Sequence, residues 1–70
     1  MKKFLELENS NGLALFIDCD SIVAIANAPG RSGMALIYVN DGSSSFLVKK
    51  THFELLKKLA ELKLAELVKF

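Results

Sequence analysis

Residues 13–17, 22–26 and 34–39 are apolar at almost every position, the pattern of strands buried on both faces. Residues 4–8, Phe-Leu-Glu-Leu-Glu, alternate instead, as a half-buried strand does, and residues 44–49 supply a fifth extended segment. Helical periodicity is confined to residues 51–70. One helix covers one face of a small sheet, so the other apolar face must close on itself as a barrel or pack against another molecule. The expected fold is therefore α+β: a bent five-stranded antiparallel sheet or partly open small barrel with one C-terminal helix. The pattern predicts a single domain over 1–70, with the sheet over about 4–50 and the helix over about 52–69.

The turns between these segments predict their register. After the first strand, Asn9, Ser10, Asn11 and Gly12 carry turn chemistry, Gly12 being free to take positive φ. A three-residue loop of Ser10, Asn11 and Gly12 sets Leu7 across from Leu15 and Leu5 across from Ile17, which groups the aliphatics on one face. The other face then holds Phe4, Glu6, Glu8, Ala14, Phe16 and Asp18. Asp18-Cys19-Asp20-Ser21 breaks the apolar pattern and predicts a tight bend into the strand that starts at Ile22. Ala28-Pro29-Gly30-Arg31-Ser32-Gly33 reads as a loop. Asp41-Gly42 predicts a two-residue hairpin turn that sets Val39 opposite Ser44, Ile37 opposite Phe46 and Ala35 opposite Val48. On the reverse face Tyr38 meets Ser45 and Leu36 meets Leu47. That face stays partly apolar, with Met34, Leu36, Tyr38 and Leu47 diluted by Ser45 and Lys49, as an interface or the edge of a barrel interior is.

Thr51 followed three residues later by Glu54 is a capping box, so the helix is expected to begin at His52. Its first turns offer Phe53, Leu55, Leu56, Leu59, Ala60 and Leu62 as an apolar face, with Lys57, Lys58 and Glu61 on the wet side. Beyond Leu62 a second stripe follows from Leu64, Leu67 and Val68, and one sheet cannot easily receive both.

Composition sharpens the inference of a partner. A 70-residue chain hides only about 60% of the surface its unfolded form exposes. Small domains usually compensate with disulfides, a metal or an oligomer interface. Cys19 has no second cysteine to pair with, and with His52 alone it cannot complete a structural zinc site. With 51% hydrophobic residues, association is the remaining route. Nine basic and eight acidic residues give a formal net charge of +1, far from the strong field of a non-specific nucleic-acid binder. No apolar run approaches the roughly 18 residues of a membrane span. Met1-Lys2-Lys3 leads into an alternating segment instead of a signal-peptide core, so the cytoplasm is the expected compartment.

No motif carries catalytic or metal chemistry, and no cofactor is expected. Asp18 and Asp20 lack the further oxygen ligands of a calcium loop and read as acidic residues at a strand bend. Cys19 sits beside two carboxylates, which disfavour a thiolate, and reads as a small packing residue. His52 at a helix start has no paired nucleophile. The Pro29 to Gly33 loop joins two strands instead of opening a helix and lacks the ending of a P-loop.

The order of elements is similar to a known group. A short strand, a turn, a strand ending in Asp20-Ser21-Ile22-Val23-Ala24-Ile25, then Leu36-Ile37-Tyr38-Val39-Asn40-Asp41-Gly42 and a capped helix resemble the FlbD-type small flagellar-operon proteins and similar small bacterial or phage open reading frames. The resemblance covers about residues 4–59 and brings no enzymatic site. It implies binding to a larger assembly such as transcription or flagellar machinery. The loop at residues 28–33 and the leucine-rich extension after Leu62 depart from that pattern.

The function expected is a small non-enzymatic protein-interaction module that associates with itself or with a larger protein. Its candidate interface is Met34, Leu36, Tyr38, Leu47, Leu64, Leu67, Val68 and Phe70. The alternative is a small nucleic-acid-binding regulator whose strand face bears Phe16 and Tyr38, with Lys2, Lys3, Arg31, Lys49, Lys50, Lys57 and Lys58 as phosphate contacts.

Overall fold

Gly12 takes a φ of +83° in the first hairpin, and its N–H donates to the Asn9 carbonyl at 2.9 Å. The Asn9 side chain tightens this turn, its Oδ1 accepting the N–H groups of Asn11 and Leu13. The loop is three residues long in its pairing, so β1 (Phe4–Glu8) and β2 (Ala14–Asp18) meet in the expected register, with Leu5 opposite Ile17 and Leu7 opposite Leu15. At the end of β2 the Asp18 carboxylate accepts the Asp20 N–H and caps a 3-10 turn, η1 (Cys19–Ser21), while the Ser21 hydroxyl donates to the Asp18 carbonyl. The bend expected at this point is that turn.

The chain continues through β3 (Ile22–Asn27), β4 (Ala35–Val39) and β5 (Ser44–Val48) to α1 (His52–Glu61). The computed structural model describes residues 1–70. Its class is α+β, and its strands form two antiparallel sheets, β1-β2 and β3-β4-β5. This corrects the expectation of one bent five-stranded sheet or a partly open small barrel. The sheets join through one bridge, Asn9 opposite Val48, and separate beyond it. The 3-10 turn between β2 and β3 re-aims the chain instead of letting those strands pair.

The second hairpin keeps the expected register, Ala35 opposite Val48 through Val39 opposite Ser44. Its connection is nevertheless four residues, Asn40 to Ser43, and not two. Asn40 and Gly42 take the left-handed conformation, at φ 60° and 88°, and Asp41 Oδ1 accepts the Ser43 N–H. The Asn40 N–H is drawn away to the Ser21 carbonyl at 2.7 Å. A four-residue loop is also even in length, so every side chain stays on its expected face.

Leu5, Leu7, Ile17, Ala35, Ile37, Val39, Val48, Leu55 and Leu59 make one core, with Ile37 and Val48 fully enclosed. Only ten of the 70 residues are buried, and none of them lies in β3. The strands that read as two-sided are thus packed on one face only, because a hairpin, a three-stranded sheet and a three-turn helix hold too little material to cover both faces.

The helix is shorter than its periodicity suggests, ending at Glu61 instead of about residue 69. Lys63 takes a φ of +59°; its N–H donates to the Ala60 carbonyl and the Leu64 N–H to the Leu59 carbonyl. These are the two bonds of a Schellman cap, which stops the helix. Lys63 occupies the position usually held by glycine, so no residue type announced the stop. Phe53, assigned to the apolar face, is 73% exposed. Leu55 and Leu59 carry the packing.

Candidate interaction surfaces

Cross-strand pairing collects the apolar residues of the reverse sheet face. Ala24 lies opposite Tyr38 and Ala26 opposite Leu36, while Leu36 and Tyr38 also pair with Leu47 and Ser45. The one charged side chain that the strand alternation adds to this face is Lys49, at its rim, where it pairs with Glu8. Leu36, Tyr38, Leu47 and the adjoining Met34 are half-buried by one another. The side chains buried from α1 and from the β1–β2 hairpin all join the core around Ile37, on the other side of the same sheet. Both elements therefore lie on one face of that sheet, and Leu36, Tyr38 and Leu47 on the other keep partial exposure. Ala24 and Ala26 were missed as members of this surface. Their signal was the alternation of β3, legible only once a bulge between Ile22 and Ala24 set the pairing.

Leu64, Leu67, Val68 and Phe70 form no helical stripe, because the helix has already ended. Leu67 is 66% and Val68 88% exposed, and Phe70 projects entirely. Within this segment Ala65 packs against the core.

Of the candidate nucleic-acid residues, Lys50, Lys57 and Lys58 line one groove between β1 and α1, which neither Phe16 nor Tyr38 lines. Phe16 is on the outer face of β2, directly opposite Glu6, whereas Tyr38 lies in the other sheet. Lys2 Nζ bonds Asp18 at 2.9 Å, Lys49 meets Glu8 at 3.1 Å, Lys50 meets Glu54 at 3.8 Å and Lys58 meets Glu61 at 3.5 Å. Lys3, Arg31 and Lys57 make no ion pair. Around the exposed rings of Phe4 and Phe16 the hairpin carries Glu6, Glu8 and Asp18, of which Asp18 and Glu8 are paired with Lys2 and Lys49.

Electrostatics elsewhere describe a scaffold. The Lys2 hydrogen bond, followed by the Asp20 backbone N–H, holds the Asp18 carboxyl below its ordinary range, and the same contact raises Lys2. Ser43 lowers Asp41, and the Thr51 backbone and hydroxyl lower Glu54. Burial, helped by Asp18 and Asp20, pushes the Cys19 thiol up, away from a reactive thiolate. His52 lies against the Phe53 ring, with centroids 4.4 Å apart, and its shielded Nδ1 has no hydrogen-bond partner. Arg31, Ser32 and His52 line a shallow hollow beside the helix start. No three His, Cys, Asp or Glu side chains gather as metal ligands, and no helix is long and apolar enough to cross a membrane.

Compared with known protein families, with curated proteins and with solved structures, the chain matches none. The resemblance to FlbD-type proteins rests on the strand and turn residues quoted for it.

Proposed function

We propose that the chain is a small non-enzymatic protein-interaction module that self-associates through the outer face of β3-β4-β5. The observation that carries this reading is the largely apolar surface of Ala24, Ala26, Leu36, Tyr38 and Leu47, partly exposed while helix and hairpin crowd the opposite side. Exposed apolar area of this kind is stabilised by burial at about 25 cal/mol per Å², which favours a second apolar surface over water. A copy of the same face satisfies that need with two-fold symmetry. A matching apolar patch on a larger protein satisfies it equally, and the flagellar or transcription assemblies implied by the resemblance belong to that class.

Sedimentation velocity across the micromolar range tests the reading. The wild-type chain should sediment above its 7.7 kDa monomer mass, and Leu36→Lys with Leu47→Lys should weaken that association while the chain stays folded. A double variant that associates as the wild type does would remove this face from the interface. Nucleic-acid binding predicts something different, a mobility shift that falls steeply as salt rises.

A further inference from the structure

The outer edge of β1 is open in a way that specifies what closes it. The Lys3 carbonyl accepts the Cys19 N–H and the Asn9 N–H donates to the Leu13 carbonyl, so odd residues of this strand turn their backbone groups to β2. Even residues turn theirs away. On that side the Glu8 carbonyl accepts the Lys49 N–H at 2.9 Å and the Ser10 N–H reaches the Leu47 carbonyl at 3.1 Å. Before Glu8 the pairing with β5 stops. The backbone groups of Phe4 and Glu6 then face a groove of about 470 Å³ between β1 and α1, walled by Leu5 and Leu7 on the strand and by Leu55 and Leu62 on the helix. A row of free donors and acceptors above apolar side chains is completed by another strand.

Building on the self-association proposed above, we infer that this strand is residues 66–70 of a second copy, exchanged reciprocally. The segment is as long as β1, five residues or about 17 Å when extended. Its alternation matches: with Lys69 beside Glu6, Val68 and Phe70 fall on the Leu5 and Leu7 side whichever way the strand runs. Charge matches as well. Of the charged side chains on the groove rim, Lys50 is engaged with Glu54 and Lys58 with Glu61, which leaves Glu6 on the strand wall and Lys57 on the helix wall without ion-pair partners. The incoming segment carries one charge of each sign, Lys69 for Glu6 and Glu66 for Lys57. Its own body does not use it: no residue beyond Leu62 lines the groove, and Val68 and Phe70 stand free in solvent. Reciprocal exchange covers both grooves and both segments at once, the closed arrangement that ends at a dimer.

Charge reversal in the full chain tests the exchange, read by sedimentation equilibrium. Glu6→Lys and Lys69→Glu should each weaken association about tenfold, since each turns two attractive contacts per dimer into repulsive ones. An equimolar mixture of the two variants should recover the wild-type affinity, because their heterodimer has opposite charges in both exchanges. Both positions are exposed, and unchanged amide-exchange protection of β4 will show that the variants are folded. Recovery in the Glu6→Lys/Lys69→Glu chain but not in the mixture would mean that the segment fills its own groove, and would overturn the exchange. Association that ignores both reversals yet disappears in Leu36→Lys with Leu47→Lys would also overturn it, while sparing the sheet-face reading. A wild-type chain that is monomeric throughout would sink both.

Discussion

Three residues carry local tests because each has one identifiable task. Thr51 Oγ1 accepts the Glu54 N–H at 3.2 Å while Glu54 Oε1 accepts the Thr51 N–H at 3.1 Å. Thr51→Ala should therefore cost about 1 kcal/mol in chemical denaturation. Lys63 has a Cβ in a left-handed conformation at the helix stop, so Lys63→Gly should raise the denaturation midpoint by relieving about 1 kcal/mol. Asp18, Asp41 and Glu54 all have lowered carboxyl values in the folded chain. A lowered value means that the unfolded chain binds protons first, so the stabilisation is present above the unfolded values of about 4 and lost as pH falls through the lower folded ones. A urea midpoint that declines over that window, and declines less in Glu54→Gln, is the expected result. Cys19→Ser and His52→Gln should leave association unchanged, since neither side chain belongs to an exposed apolar surface.

At the scale of elements, the segment after α1 separates core from interface. Val68 and Leu67 are far more exposed than Leu55 and Leu59, which hold the helix to the core. Changing Leu67 and Val68 together to Ser should leave helical circular dichroism and the exchange protection of β4 and β5 intact while association weakens. Burial of those two side chains in the monomer predicts instead a loss of about 2 to 3 kcal/mol for each, enough to unfold so small a domain. The β1-β2 and β4-β5 pairings and the helix start were legible in the sequence because loop parity and the Thr51–Glu54 spacing act over a few residues. The helix stop was not, since Lys63 has no composition signal and its conformation is held by bonds to Ala60 and Leu59.

For the whole molecule, self-association couples stability to concentration. If the outer sheet face and the β1 edge are covered only in the dimer, the thermal midpoint should rise with protein concentration and be lower in the Leu36→Lys, Leu47→Lys variant. A midpoint that does not change over a hundredfold dilution would assign all the stability to one chain. The same measurement weighs the ten buried residues against what lies outside them.

By itself the sequence determined which residues pair and on which side they fall, as with Leu5 against Ile17 and Ile37 against Phe46. Period-two alternation and loop parity leave no other arrangement that keeps these aliphatics out of water. It also determined the capping box and the excess of apolar surface over what 70 residues enclose. Only the tertiary structure decided that β1-β2 and β3-β4-β5 remain two sheets touching at Asn9 and Val48, because that depends on the direction in which the Asp18 to Ser21 turn launches β3. From that direction follow the crowding of helix and hairpin onto one face, the partial exposure of Leu36, Tyr38 and Leu47 on the other, and the open edge of β1. Long-range packing sets these features, and no local pattern encodes them.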